Sequence, residues 1–338
     1  MTMTMPAGVE TARDLVGPAI AEAVGRLSSQ IGLVAAYHLG ICDAEGQPTP
    51  AGAAGKALRP ALALLSARAA GVPAERAVPP AAAVELVHNF SLLHDDIMDG
   101  DTERRHRPTA WTVYGVGSAI LAGDALLVLA QDLLLENQPN GVWAARCLSA
   151  AVQRLITGQG ADLDFESRDD VEVAECLDMA GDKTAALMAC ACSIGAIYVG
   201  APPNLAMGLA AFGSHAGLAF QLTDDLLGIW GSPETTGKPV GSDLRARKKS
   251  LPVVAALTTG AEAAFELGEL LAQPGPLTEG DVARATQLVE EAGGRKQAEA
   301  MADAELAAAA ACLAAADMPD DVRAEFAGIA AFISARQW

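Results

Sequence analysis

Residues 88–109 read HNFSLLHDDIMDGDTERRHRPT, so a long apolar segment ends in clustered acidic residues that two adjacent arginines follow. On a helix, Asp95 and Asp99 lie four residues apart on one face, and His88 lies on nearly the same stripe. These carboxylates would repel each other without a counter-ion, and Mg²⁺ is commonly held by one or two carboxylates together with substrate phosphates. The stretch therefore predicts a buried helix whose end binds a diphosphate through Mg²⁺.

A second apolar segment ends in the same way, because FQLTDDLLG from Phe220 echoes SLLHDDIMD from Ser91. The apolar flanks of both segments indicate mostly buried helices rather than solvated ones. Asp224 and Asp225 would offer further oxygen ligands if the two helices faced one cavity. The alternative is that each aspartate pair is only a solvated helix end.

The composition favours helices over sheets. Hydrophobic residues make up 51% of the 338 residues and aromatic residues only 4%. Alanine and leucine, both strong helix formers, dominate the segments between the Gly, Pro and Asp breaks, and alternating β-branched residues are nearly absent. We predict an all-α protein of about ten or more helices, forming a single domain over residues 1–338, with residues 1–10 disordered.

Charge and cysteine usage exclude several classes of protein. The net charge of -19 argues against nucleic acid as a partner, because phosphates would be repelled. The six cysteines lack CxxC spacing, which indicates reduced core residues in a cytoplasmic protein. No signal peptide or transmembrane segment is expected. The sequence also lacks a nucleophile elbow and a Gly-rich phosphate loop. His94 and His106 flank the acidic cluster, and His94 is equally well explained as a hydrogen-bonded structural residue.

Several basic residues lie close to the acidic segments or in the loops. Arginine forks suit phosphate oxygens, so Arg104 and Arg105 are candidates to bind the substrate. A solvated surface charge is the alternative for each basic residue taken singly. The other basic candidates are Lys56, Arg59, Lys183, Lys238, Lys248 and Lys249.

Together these motifs resemble the trans-isoprenyl diphosphate synthase (polyprenyl synthetase) family. Besides HDDIMDGDTERRHRPT, the matching pieces in family order are GKALRP, AILAGDALL, TGQGADLDF, GDKTAAL, AFQLTDD and TGKPVGSDLRARKKSLP. They extend from Gly55 to about Pro252. The resemblance implies an isoprenoid-synthase-type bundle around a central substrate cavity, and a homodimer.

The resemblance also assigns roles to individual residues. Two or three Mg²⁺ ions on the allylic diphosphate would be held by Asp95, Asp96, Asp99, Asp224 and Asp225, with Gln159 and Asp162 near the metals. The catalytic set would comprise Asp95, Asp96, Asp99, Arg104, Lys183, Thr184, Gln221, Asp224 and Lys238. The metal-free site for isopentenyl diphosphate would comprise Lys56, Arg59, His88, Arg105, Phe220 and Lys248.

The implied reaction is ionisation, condensation and elimination, in which isopentenyl diphosphate adds to dimethylallyl, geranyl or farnesyl diphosphate. Phe90 and Ser91, the fifth and fourth residues before Asp95, match short-chain synthases of this family that make a twenty-carbon product, geranylgeranyl diphosphate. The alternatives are a farnesyl diphosphate synthase, a class I terpene cyclase, and a non-catalytic subunit of a heteromeric synthase.

The sequence departs from the family pattern at three positions. Gly228 stands where the second motif has its third aspartate, Ser232 replaces another acid, and His106 replaces the glycine of RRG. We expect the loss of the third aspartate to weaken one metal site without abolishing activity. Gly228 is also the feature that supports the non-catalytic alternative.

Overall fold

The computed structural model describes residues 7–49, 57–136, 139–233 and 239–334. Those residues are helical apart from loops and one short hairpin, which confirms the all-α prediction. The first helix begins at Ala7, so residues 7–10, expected to be disordered, are helical. Two compact units divide the chain, so a single domain over residues 1–338 stays a prediction. The first unit comprises Met1–Ala150, Cys190–Ala210 and Ala316–Phe326, and the second Ala151–Ala189, Ala211–Ala315 and Ala327–Trp338.

The first unit is built around a buried helix that ends in the acidic cluster. Its helices are α1 (Ala7–Val24), α2 (Ser29–His38), α3 (Leu58–Ala69), a 3₁₀ turn (Ala74–Ala77), α4 (Val78–Met98), α5 (Ala110–Tyr114) and α6 (Val116–Leu135). Helix α4 packs most extensively on α6, and also on α3 and α1. Gly123 on α6 permits close approach, because a Cβ there would overlap the ring of His94. This packing fixes the orientation of α4 just before Asp95.

The second unit contains the other long aspartate-bearing helix. Four helices pass from one unit to the other: α7 (Gly141–Phe165), α9 (Ala186–Tyr198), α10 (Pro203–Trp230) and α16 (Asp320–Ser334). The remaining elements are α8 (Val173–Ala180), a π-helical turn (Gly181–Ala185), α11 (Ser242–Arg245), α12 (Leu251–Leu257), α13 (Glu262–Leu271), α14 (Glu279–Glu291) and α15 (Gly294–Ala315).

The core of the second unit holds the aspartate-bearing end of α10 in place. Leu222 and Leu226 of α10 belong to one buried cluster with Phe165 and Val254. Ile229 belongs to a second cluster, formed mainly by residues of α12 to α14. Both faces of α10 around its aspartates are therefore anchored by apolar side chains, as the apolar flanks of the sequence predicted.

Helices α6 and α10 are apolar and long enough, by length and composition, to cross a membrane, but about half of each most apolar window is buried inside the protein. Core helices of soluble proteins have the same character. The absence of a transmembrane segment stays a prediction. All six cysteines are free thiols, and the sulfurs of Cys147 and Cys190 lie 3.7 Å apart.

Candidate active site

A tight hairpin follows the acidic end of α4. Strands β1 (Glu103–Arg104) and β2 (Arg107–Pro108) pair antiparallel, and the two residues between them, Arg105 and His106, have φ angles of 53° and 60°. Two successive positive φ angles define the turn that fits the twist of a two-residue hairpin. The reversal places two adjacent arginines at the hairpin, next to the end of α4.

Arg104 folds back onto the acidic motif. Its Nε donates a hydrogen bond of 2.6 Å to Oδ1 of Asp96, whose side chain is 1% exposed. Burial raises the pKa of Asp96 above its usual value, and the charge of Arg104 opposes that shift. The other oxygen, Oδ2, is buried without a hydrogen-bond partner among the described residues. Asp96 therefore faces the protein and holds Arg104 in place.

Asp95 and Asp99 have a different environment from Asp96. Asp95 is half-buried and Asp99 is exposed at the end of α4. Because Asp95 and Asp99 are four residues apart, their side chains project from one face of the helix. Asp96 projects from a different face, since successive residues are rotated by about 100° around the helix axis. Two of the three predicted aspartates of this motif thus form the more accessible pair.

Three residues predicted to bind isopentenyl diphosphate lie together in the first unit. Burial lowers the pKa of His88 well below its usual value, and the nearby charges of Arg59 and Arg105 lower it further. His88 is therefore neutral at physiological pH. Of the other residues predicted for this site, Lys56 lies outside the described residues.

Glu85 is a member of this cluster that the sequence analysis missed. Burial raises its pKa, while Arg59 and Arg105 act in the opposite direction, and the side-chain amide of Asn89 donates to Oε1 at 3.2 Å. The available signal was one carboxylate within the apolar part of α4, three residues before His88 and so on the same face. Glu85 balances part of the charge of the two arginines.

His38 was also missed, because nothing in its apolar helix marks it. Its pKa is lowered to about 3, first by burial and then by the nearby charges of Arg105, Arg104 and Arg107. Its Nε2 is buried without a hydrogen-bond partner among the described residues. The ring lines a cavity of about 20 Å³, which is roughly the space of one water molecule. The other lining residues are Tyr37, Asp96, Arg104, Arg105, Arg107, Pro108, Thr109 and Ala110.

In the second unit, Lys183 and Thr184 lie in the π-helical turn between α8 and α9. Such turns interrupt the regular backbone and often occur at functional sites. The ammonium of Lys183 forms an ion pair with Asp162. A Cβ at position 158 would lie 2.7 Å from Cα of Lys183, so Gly158 lets α7 approach this turn. The two residues predicted from GDKTAAL thus lie beside the GQGAD segment.

A hydrogen-bonded chain connects the π-helical turn to α10. The hydroxyl of Thr184 donates to Oε1 of Gln221 at 2.6 Å, and Nε2 of Gln221 donates to Oδ1 of Asp225 at 2.8 Å. The backbone N–H of Leu251 donates to the other oxygen of Asp225 at 3.0 Å. The carboxylate of Asp225 is therefore bound internally at both oxygens.

Burial also affects the pKa of Asp225, which is 5% exposed. Burial raises its pKa, and the charge of Lys248 together with the two hydrogen bonds opposes the shift. Asp224, the preceding residue, is only half-buried and so is the more accessible member of the pair. Phe220 on the same helix is half-buried as well.

Gln159 is 6% exposed, and both polar atoms of its amide lack a hydrogen-bond partner among the described residues. Leaving such a group unpaired in the interior costs roughly 1–3 kcal/mol per group. A buried amide whose donor and acceptor lack hydrogen-bond partners is consistent with the predicted position of Gln159 near a bound ligand. Lys238 of the predicted set lies outside the described residues.

The donor set suits a hard cation that is shared with its substrate. Within the described ranges, no three acidic, histidine or cysteine side chains converge into a ready-made metal site. Mg²⁺ does not need one, since it is usually held by one or two carboxylates, water and substrate phosphates. Asp95 with Asp99, and Asp224, present accessible oxygens of this kind. The residues therefore fit Mg²⁺ delivered together with a diphosphate.

Phe90 and Ser91, predicted to control chain length, are both buried on α4. The ring of Phe90 stacks edge to face on His94 at 4.8 Å. His94 in turn is hydrogen-bonded to the backbone oxygen of Ile120 at 3.1 Å. His94 therefore contacts both Phe90 and the backbone of α6, which fits its interpretation as a hydrogen-bonded structural residue.

Comparison with known proteins gives a consistent result. The family model described as polyprenyl synthetase matches residues 49–289. A (2E,6E)-farnesyl diphosphate synthase of Mycobacterium tuberculosis is 47% identical over 330 residues, covering 96% of this chain and 92% of the relative. A geranylgeranyl diphosphate synthase of the same organism is 47% identical over 317 residues, covering 93% and 89%.

The fold gives the same answer. The crystal structure of a polyprenyl synthetase from Streptomyces coelicolor A3(2) matches with a TM-score of 0.93 and 50% identity, covering 98% of this chain and 99% of that one. The motifs, the helical fold and these similarities agree. The chain belongs to the polyprenyl synthetase family of prenyltransferases.

Proposed function

We propose that the protein is a Mg²⁺-dependent prenyltransferase that condenses isopentenyl diphosphate with dimethylallyl, geranyl or farnesyl diphosphate and releases geranylgeranyl diphosphate. The observation that carries the proposal is the pair Asp95 and Asp99 on one face of α4, beside an arginine that Asp96 holds in place. Carboxylates for metal and a guanidinium for phosphate are thereby combined at one helix end.

In the proposal, Asp95, Asp99 and Asp224 hold Mg²⁺, because their carboxylates are the more accessible ones. Bound Mg²⁺ would act as a Lewis acid that neutralises the charge developing on the leaving diphosphate. Asp96 and Asp225 are bonded within the protein and position Arg104 and Gln221. This assignment narrows the metal set expected from the motifs.

Arg104 and Lys183 bind the allylic diphosphate in this scheme, and Lys238 is proposed to join them. Each of the first two has a carboxylate partner, Asp96 or Asp162, that fixes the cation before substrate arrives. Preorganised charges stabilise a developing anion without reorganising during the reaction. The hydroxyl of Thr184, oriented by Gln221, would lie beside the allylic cation.

Isopentenyl diphosphate is proposed to bind without metal at Arg59, Arg105 and His88, with Lys56, Phe220 and Lys248 completing the site. The two guanidiniums attract phosphate oxygens. His88 is neutral, so it would donate a hydrogen bond without adding a positive charge. Glu85 offsets part of the repulsion between the two arginines before substrate binds. Attack of the alkene on the allylic carbon and loss of a proton complete the reaction.

The twenty-carbon product rests on Phe90 and Ser91, whose pattern before the first motif matches that of geranylgeranyl synthases. The buried, stacked ring of Phe90 supports a floor to the product pocket. A fifteen-carbon product is the second candidate, because a farnesyl and a geranylgeranyl synthase are equally identical to this chain.

A cytoplasmic homodimer is also proposed. Support comes from α6, where large apolar side chains are exposed. They are Val116, Ile120, Leu121, Val128 and Leu135. Large contiguous exposed apolar patches commonly mark interfaces, and these five side chains lie on one helix.

The test is to incubate purified protein with Mg²⁺, isopentenyl diphosphate and each allylic starter in turn, and to determine product masses. Elongation that stops at twenty carbons is expected, and a stop at fifteen carbons selects the second candidate. A cyclised hydrocarbon would contradict prenyl transfer. Turnover that requires a second protein would support the non-catalytic alternative.

A further inference from the structure

A small cavity lies between the end of α2, the end of α4 and the hairpin that follows α4. His38 lines it from α2 and Asp96 from α4. The hairpin contributes three positively charged side chains, those of Arg104, Arg105 and Arg107. The cavity volume of about 20 Å³ is enough for one water molecule. All of these residues belong to the first unit, so the cavity is formed within one compact body.

Two buried polar atoms belong to residues that line this cavity. Nε2 of His38 and Oδ2 of Asp96 are both buried, and neither forms a hydrogen bond with any residue that the structure describes. Buried polar atoms in native proteins are nearly always paired, either with the protein or with ordered water. Two unpaired atoms beside one cavity therefore indicate a ligand that bonds to both.

Contacts among the surrounding residues hold the walls of the cavity in place. The hydroxyl of Tyr37 donates to the carbonyl of Pro108 at 2.8 Å. The guanidinium of Arg107 donates to the carbonyl of Tyr37 at 3.2 Å and to that of Cys42 at 3.0 Å. It also lies over the ring of Tyr37, 4.3 Å from the centroid. The hairpin is thus bound to α2 at the residue next to His38, and closing the cavity would break these contacts.

The chemistry of the cavity suits water. The pKa of His38 is lowered to about 3 by burial and by the three nearby arginines, so the ring is neutral. Its Nε2 can then accept a hydrogen bond from water or donate one to it, according to the tautomer. An ionised carboxylate only accepts, so water would donate to Asp96. The guanidinium N–H groups on the cavity can supply a third bond, which is the usual number for a buried water.

We propose that the cavity binds one water molecule that bridges Nε2 of His38 and Oδ2 of Asp96, and that His38 acts through it as a positioning residue for Arg104. Arg104 donates to Oδ1 of the same carboxylate. Both oxygens of Asp96 are then bonded, which fixes the plane of the carboxylate and so the direction of the guanidinium. The role of His38 in turnover rests on the proposed prenyl transfer, whereas the water site does not.

A crystal structure of the wild type, at a resolution that shows ordered water, tests the site directly. Density for one water is expected within roughly 2.7–3.2 Å of both Nε2 of His38 and Oδ2 of Asp96. His38→Gln keeps a polar atom at the end of the side chain and should keep the water, whereas His38→Phe should lose it. A water that bonds to only one of the two atoms, or a direct contact between them, would overturn the proposal.

Steady-state prenyl transfer tests the positioning role. His38→Phe should lower kcat roughly three- to tenfold, the effect of one lost hydrogen bond, and leave the KM for isopentenyl diphosphate unchanged. A general loosening of the hairpin would displace Arg105 as well and raise that KM. His38→Gln should restore the wild-type kcat. His106→Gln, at the exposed turn of the same hairpin, is the control and should match the wild type.

In the background of Asp96→Asn, His38→Phe should add little to the loss of kcat, because both changes act through Arg104. A full additional loss, or an unchanged kcat in folded His38→Phe, would overturn the positioning role. The wild-type crystal structure decides the water site even if His38→Phe does not fold. If that structure shows the water but the protein shows no prenyl transfer, the proposed function fails together with the role of His38 in turnover, while the water site stands.

Discussion

Arg104 donates a 2.6 Å hydrogen bond from Nε to Oδ1 of Asp96, and this contact joins the hairpin to the end of α4. The carboxylate is 1% exposed, while the guanidinium remains partly open to solvent. Asp96 therefore differs from its motif neighbours in what it touches. The difference leads directly to a mutational test.

Asp96→Asn should lower turnover roughly tenfold or more, because Arg104 loses its counter-charge and orientation. The Mg²⁺ concentration for half-maximal activity should barely change. Asp99→Asn is the matched control and should raise that Mg²⁺ requirement. Equal shifts in the Mg²⁺ requirement for both variants would show that Asp96 is a metal ligand after all.

Gln221→Leu should break the chain from Thr184 to Asp225 and reduce kcat ten- to a hundredfold, since small displacements in a reacting site cost that much. It should also destabilise the fold by about 1–3 kcal/mol, because a buried carboxylate loses a donor. Thr223→Val is the control, because that hydroxyl bonds only the carbonyl of Ala219 on its own helix. Comparable losses of kcat in both variants would remove the chain from the mechanism.

His38 should make stability depend on pH. Its folded pKa is lowered from 6.5 to about 3, so between these values the unfolded chain binds a proton that the folded protein does not. Stability is therefore lost as pH falls from 6.5 towards 3, by at most about 1.4 kcal/mol per pH unit from this group.

His38→Gln should accordingly lose less stability than the wild type between pH 7 and pH 5 in urea titrations. His106→Gln, whose parent side chain is 87% exposed, serves as the control. Parallel stability curves for the wild type and His38→Gln would contradict the prediction.

His106→Gly should stabilise the protein by about 1 kcal/mol. The residue has a φ of 60°, and the left-handed region costs a non-glycine residue roughly 1–2 kcal/mol, part of which glycine returns as chain entropy. The reverse change, Gly71→His, should destabilise the protein by a similar amount, because Gly71 has a φ of 73° with open space around it. Urea unfolding of both variants measures the two changes, and a less stable His106→Gly would refute the strain.

Phe90→Ala should give products longer than twenty carbons, and Phe90→Leu should give a smaller shift, because each opens the pocket floor in proportion to the volume removed. The alanine variant should also lose about 3–5 kcal/mol of stability. Phe326→Leu, a fully buried ring on α16, is the packing control and should leave product masses unchanged. An unchanged product profile for both Phe90 variants would remove this residue from chain-length control.

Local pattern was sufficient for the helical fold and the two aspartate-bearing helices. Apolar periodicity placed Asp95 and Asp224 near the ends of buried helices, because burial of an apolar face decides helix position. The same periodicity runs from Thr11 to Ala36 and does not reveal the break between α1 and α2. That break contains no proline, so composition offered little signal for it.

The roles within each motif depended on tertiary packing. Asp95 and Asp96 are identical in type and adjacent in sequence, and only the hairpin that returns Arg104 distinguishes them. Glu85 and His38 joined the site because folding brings them next to arginines distant in sequence, which spacing on one helix cannot reveal.

Gly228 is the plainest case of the same limit. Motif and spacing determined that an aspartate is missing from α10, since that follows from the order of residues alone. Only the tertiary structure shows that the carboxylate of Asp243 lies against Gly228, because α11 reaches α10 through a left-handed turn at Gly241 and through contacts with the backbone of α10. The order of residues shows which side chains a helix carries, whereas packing decides which side chains distant in sequence lie beside it.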